Sequence, residues 1–265
     1  MKPLIRNPLA ETLAAGRVGL ALIVQKVDCV DIAVAAQACG CDAVTVDLEH
    51  SVIPEQAAAQ IGIAAMQAGV TPLVRLASHD AHVATRLLDA GMLGVIAPHV
   101  GSAEEARAVA AACRFAPQGR RSVSYQWPHL GYRVHGDAAA VRAAFNAVTT
   151  VAVMLESPEA IEHADEIAAV PGVDILHVGT VDLCDALGLP GRLDDPRVMA
   201  CFERVIAACR RHGKVAGIGA VGGQPAVARR VIAAGARFLS AGIEWDLMLG
   251  AARQRVQSLR QLQEA

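Results

Sequence analysis

Lysine is nearly absent from this chain: Lys2, Lys26 and Lys214 are the only three. The other basic residues are arginines that form no stripe, and the formal net charge is −2. The electrostatic footprint of a nucleic-acid binder is therefore missing. No apolar run is both long enough and free enough of charge to span a bilayer. The opening residues, MKPLIRNPLAETLAAG, contain Pro and Glu and lack an apolar h-region, so they do not read as a signal peptide. No CxxC pair occurs among the seven cysteines. They read as small buried hydrophobes in a reducing cytoplasm, with a Cys39–Cys41 metal clip as the other reading. Aromatic residues make up only 3% of the chain, which makes the grouping of Tyr125, Trp127 and Tyr132 conspicuous.

What the chain does have is a repeated unit. Eight short apolar runs stand at 17–24, 43–47, 72–76, 94–98, 149–156, 174–179, 215–220 and 237–242. Ala-rich segments of helical periodicity follow them, such as 80-DAHVATRLLDAG-91 and 102-SAEEARAVAAACR-114. Ser102 and Glu105 form a capping box, and Gly91, Gly213 and Gly235 stand where helix C-caps are expected. Continuous apolar strands alternating with helices imply a parallel sheet covered on both faces. Eight such units in 265 residues predict one α/β domain over 1–265, a (β/α)₈ TIM barrel. An open nucleotide-binding sheet would carry GxGxxG after its first strand, and none is present. The stretch 116–137 is too long for an ordinary connection and predicts a lid or an interface arm.

In such a barrel the active site lies at the C-terminal ends of the strands. There the chain places Asp47, Glu49 and His50, then Arg75, then Pro98 and His99, then Glu156, then 179-GTVDL-183. Glu156 and Asp182 are hard oxygen ligands of the kind accepted by Mg²⁺, Mn²⁺ or Co²⁺. Arg75 can hold an anionic oxygen. His50 carries the side chain type most used for proton transfer near neutral pH, and Asp47 is expected to orient it. Each has a plainer reading: Glu156 and Asp182 as first-turn acids of helices, Arg75 as an ion-pair partner of Asp47 or Glu49, His50 as a structural histidine. Their convergence on one rim favours the functional one. A Schiff-base mechanism has little to work with, since only Lys26 lies near a strand C-terminus. The glycine-rich 217-GIGAVGG-223 and 240-SAGIE-244 are compatible with phosphate binding, as in a phosphate-binding isomerase, or with tight rim turns.

The motifs 46-VDLEHS-51, 73-LVR-75, 86-RLLDAG-91, 96-IAPHVGSAEEA-106, 117-PQGRRSV-123, 155-LES-157, 179-GTVDLCDALGLPG-191 and 213-GKVAGI-218 together resemble the HpcH/HpaI aldolase/citrate lyase family over nearly the whole chain. The resemblance implies a carbon–carbon lyase of the metal-dependent, class II kind, acting on 4-hydroxy-2-keto acids through a pyruvate-type enolate. It implies a divalent cation on Glu156 and Asp182, proton transfer by His50 with Asp47, and enolate stabilisation by Arg75. The keto-acid carboxylate would meet Gly179, Thr180, Val181 and Asp182. The partners implied are a small keto acid and an aldehyde. A homo-oligomer, hexamer or trimer, is implied as well, with the helix from residue 244 packing on a neighbouring subunit. Three places depart from the family pattern. Met154 stands where Gln is usual, GTVDLC replaces GPADLS, and Ala21 stands where several relatives carry Trp. A CoA-thioester lyase of the citrate-lyase group and a keto-acid-binding pseudoenzyme are the alternatives.

Overall fold

The structure is a computed structural model that describes residues 4–133 and 136–262. Its eight strands are β1 (Gly19–Val24), β2 (Ala43–Asp47), β3 (Thr71–Arg75), β4 (Gly94–Ala97), β5 (Thr150–Leu155), β6 (Ile175–Val178), β7 (Val215–Ile218) and β8 (Phe238–Ile243). They pair in parallel in chain order and close into a barrel, β8 returning to β1. The predicted (β/α)₈ barrel is the observed one. Strands β2, β4, β5 and β6 are buried along their whole length, because one face meets the barrel interior and the other meets helices.

The helix ends follow from local chemistry. Ser102 accepts the Glu105 backbone N–H at 3.2 Å while the Glu105 carboxylate accepts from Ser102 N at 3.0 Å, completing the capping box of helix Ala103–Cys113. Such caps contribute about 1 kcal/mol each. Gly213 ends helix Pro196–His212 at φ 64°, a conformation that costs glycine nothing.

Side chains from all around the barrel fill its lower interior: Ala21, Ala43, Leu73, Ile96, Ala152 and Ile175, with Phe238 beside them. A short helix not anticipated from the sequence, Pro8–Ala14, seals the N-terminal end. Its Leu9 is fully buried in that interior cluster. A Cβ on Gly19 would stand 2.4 Å from Leu9 Cδ1, so the first strand begins with the residue that leaves room for the plug. Filling the floor leaves open only the opposite end, where the strands terminate.

The 116–137 stretch, of which 134 and 135 lie outside the described residues, is anchored by its aromatic residue rather than spread over the strand ends. Trp127 is buried against Phe145 and Phe115, ring centroids 5.0 and 6.4 Å away, and its Nε1 donates to Asp89 at 3.2 Å. Arg121 stacks on Phe115 at 4.5 Å and also binds Asp89. Tyr125 and Tyr132 stay exposed. None of the described residues of this stretch lines the cavity at the strand ends.

Candidate active site

At the C-terminal ends of the strands lies a cavity of about 650 Å³. Its wall carries His50, Arg75, Glu156 and Gly179 through Asp182, so seven of the eight residues singled out from the sequence share one chamber. The eighth, Asp47, lies fully buried directly behind Arg75.

The strand register explains that pair. Asp47 ends β2 opposite Arg75 on β3, which brings the two side chains together. Arg75 Nε and Nη2 reach Asp47 Oδ1 and Oδ2 at 2.9 and 2.5 Å, a bidentate fork. Gln25 Nε2 donates to Asp47 Oδ2 at 2.6 Å. Burial pushes the Asp47 carboxyl up, but Arg75, Gln25 and the His50 backbone N–H outweigh it and hold it below the usual carboxylate range. Burial likewise opposes the charge on Arg75, and the surrounding carboxylates overcome it and raise its pKa.

Asp47 does not touch the His50 imidazole, against expectation. It accepts the backbone N–H groups of Glu49 and His50 at 3.0 and 3.2 Å, and its outer lone pairs are taken by Arg75 and Gln25. The acid nearest the exposed His50 ring is Glu49, at 3.8 Å. Asp47 therefore orients Arg75. Glu49 also lies 3.2 Å from Arg75 Nη1, within ion-pair range but out of line for a hydrogen bond, so its Oε2 remains without a hydrogen-bond partner.

His99 connects the two groups of acids, a role that its place at a strand end did not reveal. Its backbone has φ 51°, an uncommon conformation for a residue with a Cβ. That turn aims its N–H at Glu156 Oε2, 2.8 Å away, with Nδ1 3.1 Å from the same oxygen and Nε2 2.8 Å from Glu49 Oε1. Glu156 Oε1 makes no hydrogen bond among the described residues. It faces the bare Cα of Gly179, where an added Cβ would fall 2.2 Å from it. Gly179 is required here for close approach rather than for backbone freedom. Burial first, then Glu49 and Asp182, push the Glu156 pKa up, against the pull of His99.

This donor set fits a hard divalent cation. One oxygen of the buried Glu156 carboxylate is free of hydrogen bonds among the described residues, and a second carboxylate, Asp182, is near enough to destabilise its charge. Among the described residues no cluster of three or more His, Cys, Asp or Glu stands in metal-binding geometry. A pair of carboxylates leaves most coordination positions to water and substrate oxygens, which is how Mg²⁺-type ions are commonly held.

The family model described as HpcH/HpaI aldolase/citrate lyase matches residues 23–251. This chain belongs to that family. It is 39% identical over 213 residues to the 4-hydroxy-4-methyl-2-oxoglutarate aldolase tasA of Hapsidospora irregularis, covering 80% of this chain and 79% of the relative. It is 33% identical over 223 residues to a hydroxypyruvate/pyruvate aldolase of Rhizorhabdus wittichii, covering 83% and 86%. The crystal structure of an HpcH/HpaI aldolase from Desulfitobacterium hafniense DCB-2 superposes with a TM-score of 0.88 at 28% identity, over 96% of this chain and 97% of that one. The enzyme is thus an aldolase-type carbon–carbon lyase, of a family that generally depends on divalent metal. Among the described residues no helix is long and apolar enough to cross a membrane.

One cavity residue, His177, was not anticipated as functional. His177 sits inside an apolar run, and only its inward parity, matched with Met154 on β5, could have flagged it. From the sequence, Ser240 is only the first residue of 240-SAGIE-244, a phosphate-binding alternative, with no role for its hydroxyl. Met154, where the family usually has Gln, lines the cavity with an apolar side chain.

Proposed function

We propose that the enzyme cleaves and forms 4-hydroxy-2-keto acids through the enolate of a pyruvate-type donor, with a divalent cation held by Glu156 and Asp182. The observation that carries this reading is the free Oε1 of buried Glu156, beside Asp182 and in one chamber with the Asp47-locked Arg75. Bound there, a cation of the Mg²⁺, Mn²⁺ or Co²⁺ class supplies Lewis acidity.

The chain's own residues do the rest. Gly179, Thr180, Val181 and Asp182 form the segment that receives the keto-acid carboxylate. Arg75 faces the C2 oxygen. Its orientation is set before substrate arrives, because Asp47 and Gln25 fix the guanidinium, and preorganised donors of this kind need no reorganisation as charge develops. In the cleavage direction a base removes the proton of the C4 hydroxyl and the C3–C4 bond breaks. C4 leaves as a carbonyl, and the electron pair moves to the C2 oxygen as an enolate. A proton returned to C3 completes the keto acid. His50 is the group assigned to these proton movements, with Glu49 beside it.

Helix Glu244–Gln261 leaves Trp245, Leu247, Met248, Val256 and Leu259 exposed, each at 41% or more. A second copy of the chain is the occupant assigned to that face, in a trimer or hexamer. The seven free cysteines accord with a cytoplasmic enzyme.

The test is deuterium exchange at C3 of pyruvate in D₂O with Mg²⁺ or Mn²⁺. Wash-out that stops on chelation and returns with metal is the expected result. No exchange with any divalent ion, or exchange undiminished by exhaustive chelation, would overturn the proposal.

A further inference from the structure

Part of the cavity wall, below the Gly179–Asp182 segment, is not used by the proposed chemistry. β7 gives it almost no side chains: Gly217 and Gly219 lie along it, and Gly222 and Gly223 follow. On β6, beside this bare strand, stands His177. It is 7% exposed, lines the cavity and makes no hydrogen bond among the described residues. Its Nδ1 is buried without a partner, against Gly217. A buried orphan N–H is rarer in proteins than an under-used acceptor, so the imidazole proton belongs on Nε2.

That nitrogen points over Gly219. The position a Cβ would take on Gly219 is 3.3 Å from His177 Nε2, 3.1 Å from the Val178 carbonyl oxygen and 3.8 Å from Thr180 Oγ1. Thr180 already donates to the Gly219 carbonyl at 3.2 Å. Ser240, on β8 across the bare strand, accepts the Ala220 N–H at 3.0 Å, and its own hydroxyl proton has no acceptor among the described residues. The Val178 carbonyl is buried and already accepts the Gly219 N–H at 3.0 Å, so the recess offers His177 Nε2–H as a donor, Thr180 Oγ1 as an acceptor and the Ser240 hydroxyl as a second neutral donor. Burial first, and the charge of Arg75 second, hold the His177 imidazole neutral, its pKa lowered to about 4, so the ring itself carries no charge to attract an anion.

We propose that this recess receives a substrate hydroxyl, which accepts from His177 Nε2–H and gives its proton to Thr180 Oγ1, whose own proton is committed to the Gly219 carbonyl, with Ser240 as the second donor. His177 is then a specificity-determining residue for a carbon chain bearing a hydroxyl next to the reacting carbonyl. The hydroxyl can come from the donor, as in hydroxypyruvate, or from the acceptor, as in glycolaldehyde. The assignment of donor and acceptor rests on the aldolase reading above; the binding of a hydroxyl does not.

Two measurements test it. In the first, the metal-loaded enzyme with ¹⁵N-labelled histidine is followed by NMR, and His177 is assigned by its loss in His177→Gln. The Nε2–H tautomer is expected. Hydroxypyruvate, or glycolaldehyde added with pyruvate, should shift that resonance where pyruvate, or acetaldehyde with pyruvate, does not; the pair that responds names the source. An Nδ1–H tautomer, or no response to either hydroxylated probe, overturns the proposal. In the second, kcat/KM is compared within each pair. His177→Phe and Ser240→Ala should each lower the hydroxylated-to-plain ratio by about 5- to 100-fold, the cost of an unpaired buried polar group, and His177→Gln should restore most of it. Equal losses on both members of each pair overturn it. If the resonance responds while wild-type enzyme fails to exchange C3 protons, the aldolase reading falls and the recess stands.

Discussion

The two walls of the cavity are built in opposite ways. The β2–β5 wall is dense with charge: Asp47, Arg75, Glu49, His99 and Glu156 contact one another directly. Apart from Asp182 and Asp246 at its rim, the β6–β8 wall is neutral and sparse, with glycines on and after β7 flanked by His177 and Ser240. A charged wall stabilises charge that develops during reaction, since its groups are already fixed in position. A neutral wall with unused hydrogen-bonding groups selects by what it leaves unsatisfied, because a site built for a polar group rejects an analogue that lacks it. Under the proposed function, the difference separates the step common to the reaction from the step that chooses among substrates.

That contrast can be broken from either side. The largest effect is expected for Glu156→Gln, which removes a carboxylate charge from the proposed cation site. Loss of several kcal/mol of charge stabilisation corresponds to about 10³-fold or more in kcat, with cation binding lost in a calorimetric titration and the circular dichroism spectrum unchanged. Arg75→Ala comes next, at about 10²- to 10³-fold in kcat. Its KM should change less, because its contact strengthens with the developing enolate. Arg75→Lys should recover only part, an ammonium lacking the fork that Asp47 holds.

The neutral wall answers to pH. His177 and, in the Trp127 cluster, His129 have folded-state pKa values lowered to about 4 from 6.5, mainly by burial. Above about pH 6.5 both are neutral folded or unfolded and add no pH dependence. Between that value and about 4 the unfolded chain takes up protons that the fold refuses. Stability should then fall as pH falls, by roughly 3 kcal/mol for each histidine at the acid end. Urea midpoints measured from pH 7.5 down to pH 4 would follow this, and His177→Gln should remove its share of the slope. The smallest effect is expected for Gly217→Ala. Its Cβ would stand 2.5 Å from His177 Nδ1, so the ring must move. Overpacking of this kind costs about 1–3 kcal/mol. Its urea midpoint should drop accordingly, and the hydroxylated-to-plain ratio should shift more than it does for Ala220→Ser at the same wall.

How much of this could be read from the chain differs between the walls as well. Strand ends, and hence Asp47, Arg75, Glu156 and Asp182, follow from period and polarity, since an ionisable group at the tip of an apolar run is costly to desolvate unless it meets a partner there. Pairing does not follow. Asp47 stands three residues before His50 yet serves Arg75, because β2–β3 register, a long-range property, decides which side chains meet. His99 is illegible because its role depends on a backbone turn that composition does not reveal. His177 is illegible because one polar residue among Ile175, Leu176 and Val178 reads as core, and in a barrel interior it is core. The Pro8–Ala14 plug is illegible because its burial depends on a barrel that only later residues complete.

Glu244 follows β8 immediately and is buried; its carboxylate accepts the backbone N–H groups of Gln25 at 3.0 Å, Lys26 at 2.5 Å and Val27 at 3.0 Å, just beyond β1. The contacts run between positions more than two hundred apart. A growing polypeptide cannot make them until its last strand has left the ribosome. Until then β1 lacks one neighbour, Gln25 lacks the carboxylate that fixes its backbone, and through Gln25 the hold on Asp47 and Arg75 is incomplete. One acid at the seam therefore ties the moment of ring closure to the moment at which Arg75 is set.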